Sequence, residues 1–86
     1  MLGAADMICF WFCAETLCPI TLYELGAHIV TKTPIVIGLD PDYERRLDVE
    51  IQSKLVRPRV PINYSMDTFI ESIFGMIDQV KNLIIY

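Results

Sequence analysis

The run Met7-Ile8-Cys9-Phe10-Trp11-Phe12-Cys13 constrains the fold more than any other stretch of this chain. Successive side chains of an extended strand point to opposite sides. Met7, Cys9, Trp11 and Cys13 share one side, and Ile8, Phe10 and Phe12 share the other. Both sides are apolar, which is the pattern of a parallel strand covered by helices above and below. Such a strand belongs in the middle of its sheet, with neighbours supplied by later strands.

The rest of the chain supplies them in alternation with helices. Pro19 suits a first helical position, because the donor it lacks is one the helix leaves unused. The helix it opens is expected to run to about Val30. Its polar residues Thr21, Glu24, His28 and Thr31 fall at steps of three, four and three, on one stripe. Ile20, Leu22, Tyr23, Leu25, Ala27, Ile29 and Val30 make the remaining surface apolar, so the helix is expected to be buried nearly all round. Gly26 is expected to let it approach a strand closely. Pro34–Leu39 reads as a second buried strand. Asp40 then caps a helix from Pro41 to about Val56, with Tyr43, Leu47, Ile51 and Leu55 as its inward stripe. Its charged residues, Arg45 and Arg46 with Asp42, Asp48 and Glu50, are expected to pair with one another.

Pro58 stops that helix, and Val60–Tyr64 forms a short strand that Pro61 assigns to an edge. Ser65 caps a last helix, with Asp67 in its first turn. Phe69, Ile70, Ile73, Ile77, Val80 and Ile84 are its expected buried stripe. The order β-α-β-α-β-α predicts a single small α/β domain. Its expected form is a three-layer parallel sheet of flavodoxin/Rossmann-like type, truncated at the N-terminus.

Composition narrows the function classes. Of 86 residues, 53% are hydrophobic and 21% charged, more apolar material than so small a domain easily hides. Either the molecule associates, with a homo-oligomer the favoured expectation, or part of the fold is missing from its N-terminal half. The net charge of −4 and the absence of a Lys/Arg stripe argue against a nucleic-acid partner. The longest apolar run is far shorter than the ~18 residues that span a bilayer, so no membrane partner is expected. The first residues, Met-Leu-Gly-Ala-Ala-Asp, lack the basic region of a signal peptide. Cys9, Cys13 and Cys18 are odd in number and two fall in the first strand. They do not suggest a disulfide framework, and a reducing, cytoplasmic location is expected. With a single histidine and no tight cysteine pairs, no metal site is expected.

Several stretches together resemble one family. These are Ala5-Asp6-Met7-Ile8 followed by Phe12, then Pro19-Ile20-Thr21-Leu22-Tyr23-Glu24-Leu25-Gly26, then Pro34-Ile35-Val36. The pattern resembles the nucleoside 2-deoxyribosyltransferase-like family over residues 5 to about 38. Beyond Asp40 the agreement is mainly in element order. The resemblance implies that Glu24 is a nucleophile that attacks the anomeric carbon of a nucleoside and forms a glycosyl-enzyme intermediate. A carboxylate suits that task because it traps an oxocarbenium-like centre and divides one hard substitution into two easier ones. The chain departs from the family at Cys18, where an Asp is usual, and at Pro19, where a Gly is usual. The N-terminal strand and loop that line the family's pocket are expected to be missing.

Glu24 is the catalytic candidate, with Asp6, Phe12, Cys13, Thr16 and Thr21 as candidate substrate contacts. Cys13 and Thr16 qualify because ligands of α/β folds gather at the C-terminal ends of strands. His28, four residues after Glu24, is placed to hydrogen-bond its carboxylate. No cofactor or metal is expected, and the partner is a nucleoside or nucleotide. The activity expected is N-glycosidic cleavage or deoxyribosyl transfer. The alternative is a non-catalytic nucleotide-binding or assembly protein derived from the same fold.

Overall fold

The structure is a computed structural model that describes residues 6–77 and 82–86. The Ala5 of the family-like run and Val80 of the expected last helix lie outside the described residues. The elements run β1 (Asp6–Phe12), α1 (Pro19–His28), β2 (Ile35–Leu39), α2 (Arg46–Val56), β3 (Ile62–Asn63), α3 (Met66–Ile77) and β4 (Asn82–Ile85). The four strands form one sheet in the order β3-β2-β1-β4, and every pairing is parallel. The α/β class and the alternation expected from the sequence are what the chain adopts.

β1 is central, as its two apolar faces require. It pairs with β2 from Ile8 opposite Ile35 to Phe12 opposite Leu39, and with β4 from Asp6 opposite Asn82 to Cys9 opposite Ile85. On one face of the sheet Ile8, Phe10, Phe12, Ile35, Ile37 and Leu39 pack under α1 and α2, joined by Leu25, Ile29, Tyr43 and Val49. On the other, Met7, Cys9 and Val36 pack under Phe69 and Ile73 of α3. β3 is an edge strand, which is where Pro61 can sit without breaking a ladder. Ser65 caps α3 by accepting from Thr68 N at 3.2 Å.

The structure departs from the sequence pattern at several elements. The sheet has a fourth strand, because Asn82–Ile85 leaves the expected last helix and pairs with β1. α2 starts at Arg46, not Pro41. Asp40 instead folds a turn, accepting from Asp42 N at 2.9 Å through its side chain and from Tyr43 N through its carbonyl. Tyr43 therefore lies outside the helix, and α2 turns Val49 and Ser53 to the core while Leu47, Ile51 and Leu55 face outward. Finally, α1 is not buried all round. Leu25 is its one buried residue, and Ile20 and Tyr23 are 71% and 75% exposed. Among the described residues no further layer covers α1, and none lies within 4 Å of where a Gly26 Cβ would project. Arg45 pairs with Asp48 at 3.2 Å and Arg46 with Glu50 at 3.8 Å, as the charge pattern suggested.

Candidate functional site

The strand order locates the crevice. The chain steps outward from β1 to β2 to β3, then returns to place β4 on the opposite side of β1. The direction of winding reverses between β1 and β4. In open parallel sheets, ligands bind outside the carboxyl ends of the strands at such a reversal. Here those ends are Phe12-Cys13 and Ile85-Tyr86.

Tyr86 continues the ladder beyond β4. Its N–H donates to the Cys9 carbonyl at 2.9 Å, and its carbonyl accepts from Trp11 N at 3.1 Å. Its ring stacks on Phe10 with centroids 5.5 Å apart and 13° between planes. That fixes the phenol on the face of the sheet covered by α1, beside Glu24. Burial first, then the charge and hydrogen bonding of the Glu24 carboxylate, push the Tyr86 phenol above its usual value. A raised phenol pKa keeps the proton in place through neutral pH, so the hydroxyl remains a donor to the carboxylate.

Glu24 also meets His28, whose Nε2 lies 3.3 Å from Oε2, with the two side chains 21% and 25% exposed. The i,i+4 spacing brings them together, as the sequence implied. Thr21, one turn before Glu24, is half-buried on the same stripe. The polar stripe of α1 thus borders the sheet at its switch point, and the exposed part of the helix is the apolar remainder. The sequence carried no signal for Tyr86 as a partner, because that role depends on Asn-Leu-Ile-Ile forming a strand. The β-branched and aromatic character of 82–86 was the available clue.

A second cluster stands where β1 hands over to α1. Cys13 Sγ and Cys18 Sγ are 3.5 Å apart, and Thr16 Oγ1 lies 3.8 Å from the first and 3.3 Å from the second. The Thr16 hydroxyl accepts from Cys18 N at 3.1 Å. Cys18 caps α1 in the left-handed conformation, φ 48° and ψ 55°. A non-glycine residue held there costs about 1–3 kcal/mol, which the surrounding contacts must offset. One such contact is at the next turn of chain, where the Tyr43 hydroxyl donates to the Leu17 carbonyl at 2.5 Å. Burial chiefly, and then the neighbouring thiols, raise the Tyr43 phenol to about 12. The Cys13 thiol is lowered by hydrogen bonds from Cys18 and Thr16.

The remaining candidates lie elsewhere. Asp6 is 7% exposed at the opposite end of β1, where it accepts from Asn82 Nδ2 at 2.9 Å. Phe12 is fully buried against the Tyr43 ring, with centroids 5.2 Å apart, and belongs to the core. The structure therefore brings Glu24 and Thr21 onto one stripe and Cys13 and Thr16 into one loop, and separates Asp6 and Phe12 from both.

Two hollows are lined by other residues. A groove of about 330 Å³ between α1 and α2 is lined by Leu22, Leu25, Ile29, Val49, Ser53 and Val56 among others. Ser53 Oγ is buried there without a hydrogen-bond partner among the described residues. A shallow cavity of about 550 Å³ near the start of β2 and β3 carries Lys32, Arg57 and Arg59. Among the described residues no group of three or more His, Cys, Asp and Glu is placed to hold a metal ion. None of the described helices is long and apolar enough to cross a membrane. Neither a protein-family model, a curated protein nor a solved structure matches the chain.

Proposed function

We propose that this chain breaks or transfers the N-glycosidic bond of a nucleoside or nucleotide, with Glu24 as the nucleophile. The observation that carries the reading is the setting of Glu24. Its carboxylate is mostly shielded, is contacted by the His28 imidazole at 3.3 Å, and is bordered by the Tyr86 phenol at the sheet's switch point. The sequence resemblance to nucleoside 2-deoxyribosyltransferase-like proteins supports the same role.

The reaction divides into two displacements. A Glu24 oxygen attacks the anomeric carbon, the C–N bond breaks, and the base departs with the bonding pair and is protonated. Water or an acceptor base then attacks the same carbon and releases Glu24. His28 and Tyr86 hold the carboxylate in one orientation, which lowers the entropy lost on reaching the transition state. Thr21 lies one turn before Glu24 on the same stripe.

The test is release of free base from a panel of ribo- and deoxyribonucleosides. Glu24→Gln keeps the shape and removes the negative charge, so turnover is expected to fall by about 10³-fold or more, equivalent to about 4 kcal/mol. Intact mass of the wild-type chain under turnover is expected to reveal a glycosyl adduct that the variant lacks. Turnover unchanged in Glu24→Gln overturns the reading.

A second reading is favoured by one feature, the apolar side chains left outside the core. Leu47, Ile51 and Leu55 are 62%, 53% and 74% exposed on one side of α2. That surface suits a nucleotide-binding or assembling relative that forms homo-oligomers without catalysis. Tight nucleoside binding without base release, indifferent to Glu24→Gln, selects it.

A further inference from the structure

We propose that Cys13 and Cys18 form a reversible dithiol–disulfide couple that exchanges electrons with disulfides of thiol-bearing compounds. The couple occupies the β1–α1 loop and does not depend on the role of Glu24. Its two sulfurs already lie 3.5 Å apart. A disulfide bond is about 2.05 Å long, so closure requires about 1.5 Å of movement by two partly exposed side chains. The backbone is preset for the approach. Cys18 is held left-handed at the start of α1, Thr16 fastens its N–H, and Tyr43 fastens the Leu17 carbonyl.

The two thiols are unequal, and the third cysteine differs from both. Hydrogen bonds from Cys18 and Thr16 favour the Cys13 thiolate, which makes Cys13 the attacking group. Cys9 is fully buried in β1, and desolvation pushes its thiol up to about 11. It serves as an internal, inert reference.

The exchange balances without any further reagent. The Cys13 thiolate attacks one sulfur of the external disulfide, and that bond breaks. The first external thiolate leaves with the electron pair and takes a proton from water. Cys18 then gives up its proton and attacks the Cys13 sulfur of the mixed disulfide. The Cys13–Cys18 bond forms and the second external thiol departs. Two protein thiols are oxidised while one external disulfide is reduced to two thiols, and excess thiol reverses the sequence. In a reducing compartment the oxidised form would be transient, the usual state of catalytic or sensing disulfides there.

Glutathione disulfide is a suitable probe. The full chain is incubated with it, quenched with an alkylating reagent, and read by intact mass and peptide mapping. The expected product has lost two of its three alkylatable thiols, carries a Cys13–Cys18 link and retains free Cys9. Cys18→Ser is expected to stop at one glutathione on Cys13, and Cys13→Ser to react about tenfold more slowly. Alkylation of Cys13 is expected to begin at lower pH in the folded chain than in the urea-unfolded chain, and Thr16→Val to move that midpoint upward. Stable glutathione adducts on the wild-type chain, a link through Cys9, or a link between chains overturns the proposal. So does a folded-state midpoint equal to that of the unfolded chain.

Discussion

The two faces of the sheet share the same strands and are covered unequally. On one, Phe10 and Phe12 of β1 and Ile35, Ile37 and Leu39 of β2 lie beneath α1, α2 and Tyr43. On the other, Met7, Cys9 and Val36 lie beneath α3, with Trp11 only partly buried. The face with two helices also holds the candidate residues, Glu24 and His28 on α1 and Cys13 and Cys18 in the loop before it. The face with one helix carries none of these groups. The candidate residues thus lie over the more heavily covered face, and disturbing either face is expected to have different consequences.

The largest loss of stability is expected on the first face. Phe10 is fully buried and stacked on Tyr86, so Phe10→Ala removes a large apolar group that cannot be replaced by local collapse. A loss of about 3–5 kcal/mol is expected from urea unfolding. The same change unseats the Tyr86 ring, so any turnover that depends on Glu24 should fall along with stability. A loss below about 1 kcal/mol would mean that this face is not the main core.

The second face is expected to respond to overfilling, not to loss. Gly38 is opposite Trp11 in the neighbouring strand, and a Cβ there would come within 2.3 Å of Trp11 Cε3 and 2.7 Å of Phe69 Cδ1. Those rings pack against each other at 5.4 Å and have no slack flexible tip to move aside. Gly38→Ala is expected to cost about 1–3 kcal/mol, with β2 and α3 affected before α1. Hydrogen exchange can separate the two faces. If α1 amides lose protection as much as α3 amides, the faces are mechanically one unit and the contrast fails.

The sequence made the first face legible and left much of its cover hidden. Met7–Cys13 and Pro34–Leu39 declare their burial through apolar residues on both sides, and Pro19, Ser65 and Pro61 mark boundaries by local backbone chemistry. These signals act within a few residues. β4 does not, since Asn82–Ile85 becomes a strand through pairing with Asp6–Cys9, more than seventy residues away. Ile77 and Ile84 also fit a helical period, so the local pattern favoured the wrong element. α2 failed for a related reason. Counting from Tyr43 gave a regular stripe, yet Tyr43 sits in a turn closed by Asp40, and the helix phase is set by Val49 and Ser53. Of the site, the Glu24–His28 pair was readable from spacing alone, whereas the phenol of Tyr86 and the left-handed turn at Cys18 were not.

The misread stripe supplies the smallest expected effect on the single chain. Leu47, Ile51 and Leu55 lie on the outside of α2, away from Val49 and Ser53, so replacing all three with Gln removes little core packing. Each change is expected to alter stability of the separated chain by no more than about 0.5 kcal/mol. Their effect on association is a different matter, because an exposed row of aliphatic side chains gains most from being covered by another copy. Light scattering should therefore find the wild-type chain larger than one protomer and the triple variant shifted toward one. A wild-type chain that scatters as a monomer, or a triple variant that assembles unchanged, removes α2 from any interface. The apolar excess of the sequence would then have to be accommodated on α1, where Ile20 and Tyr23 are the most exposed large side chains.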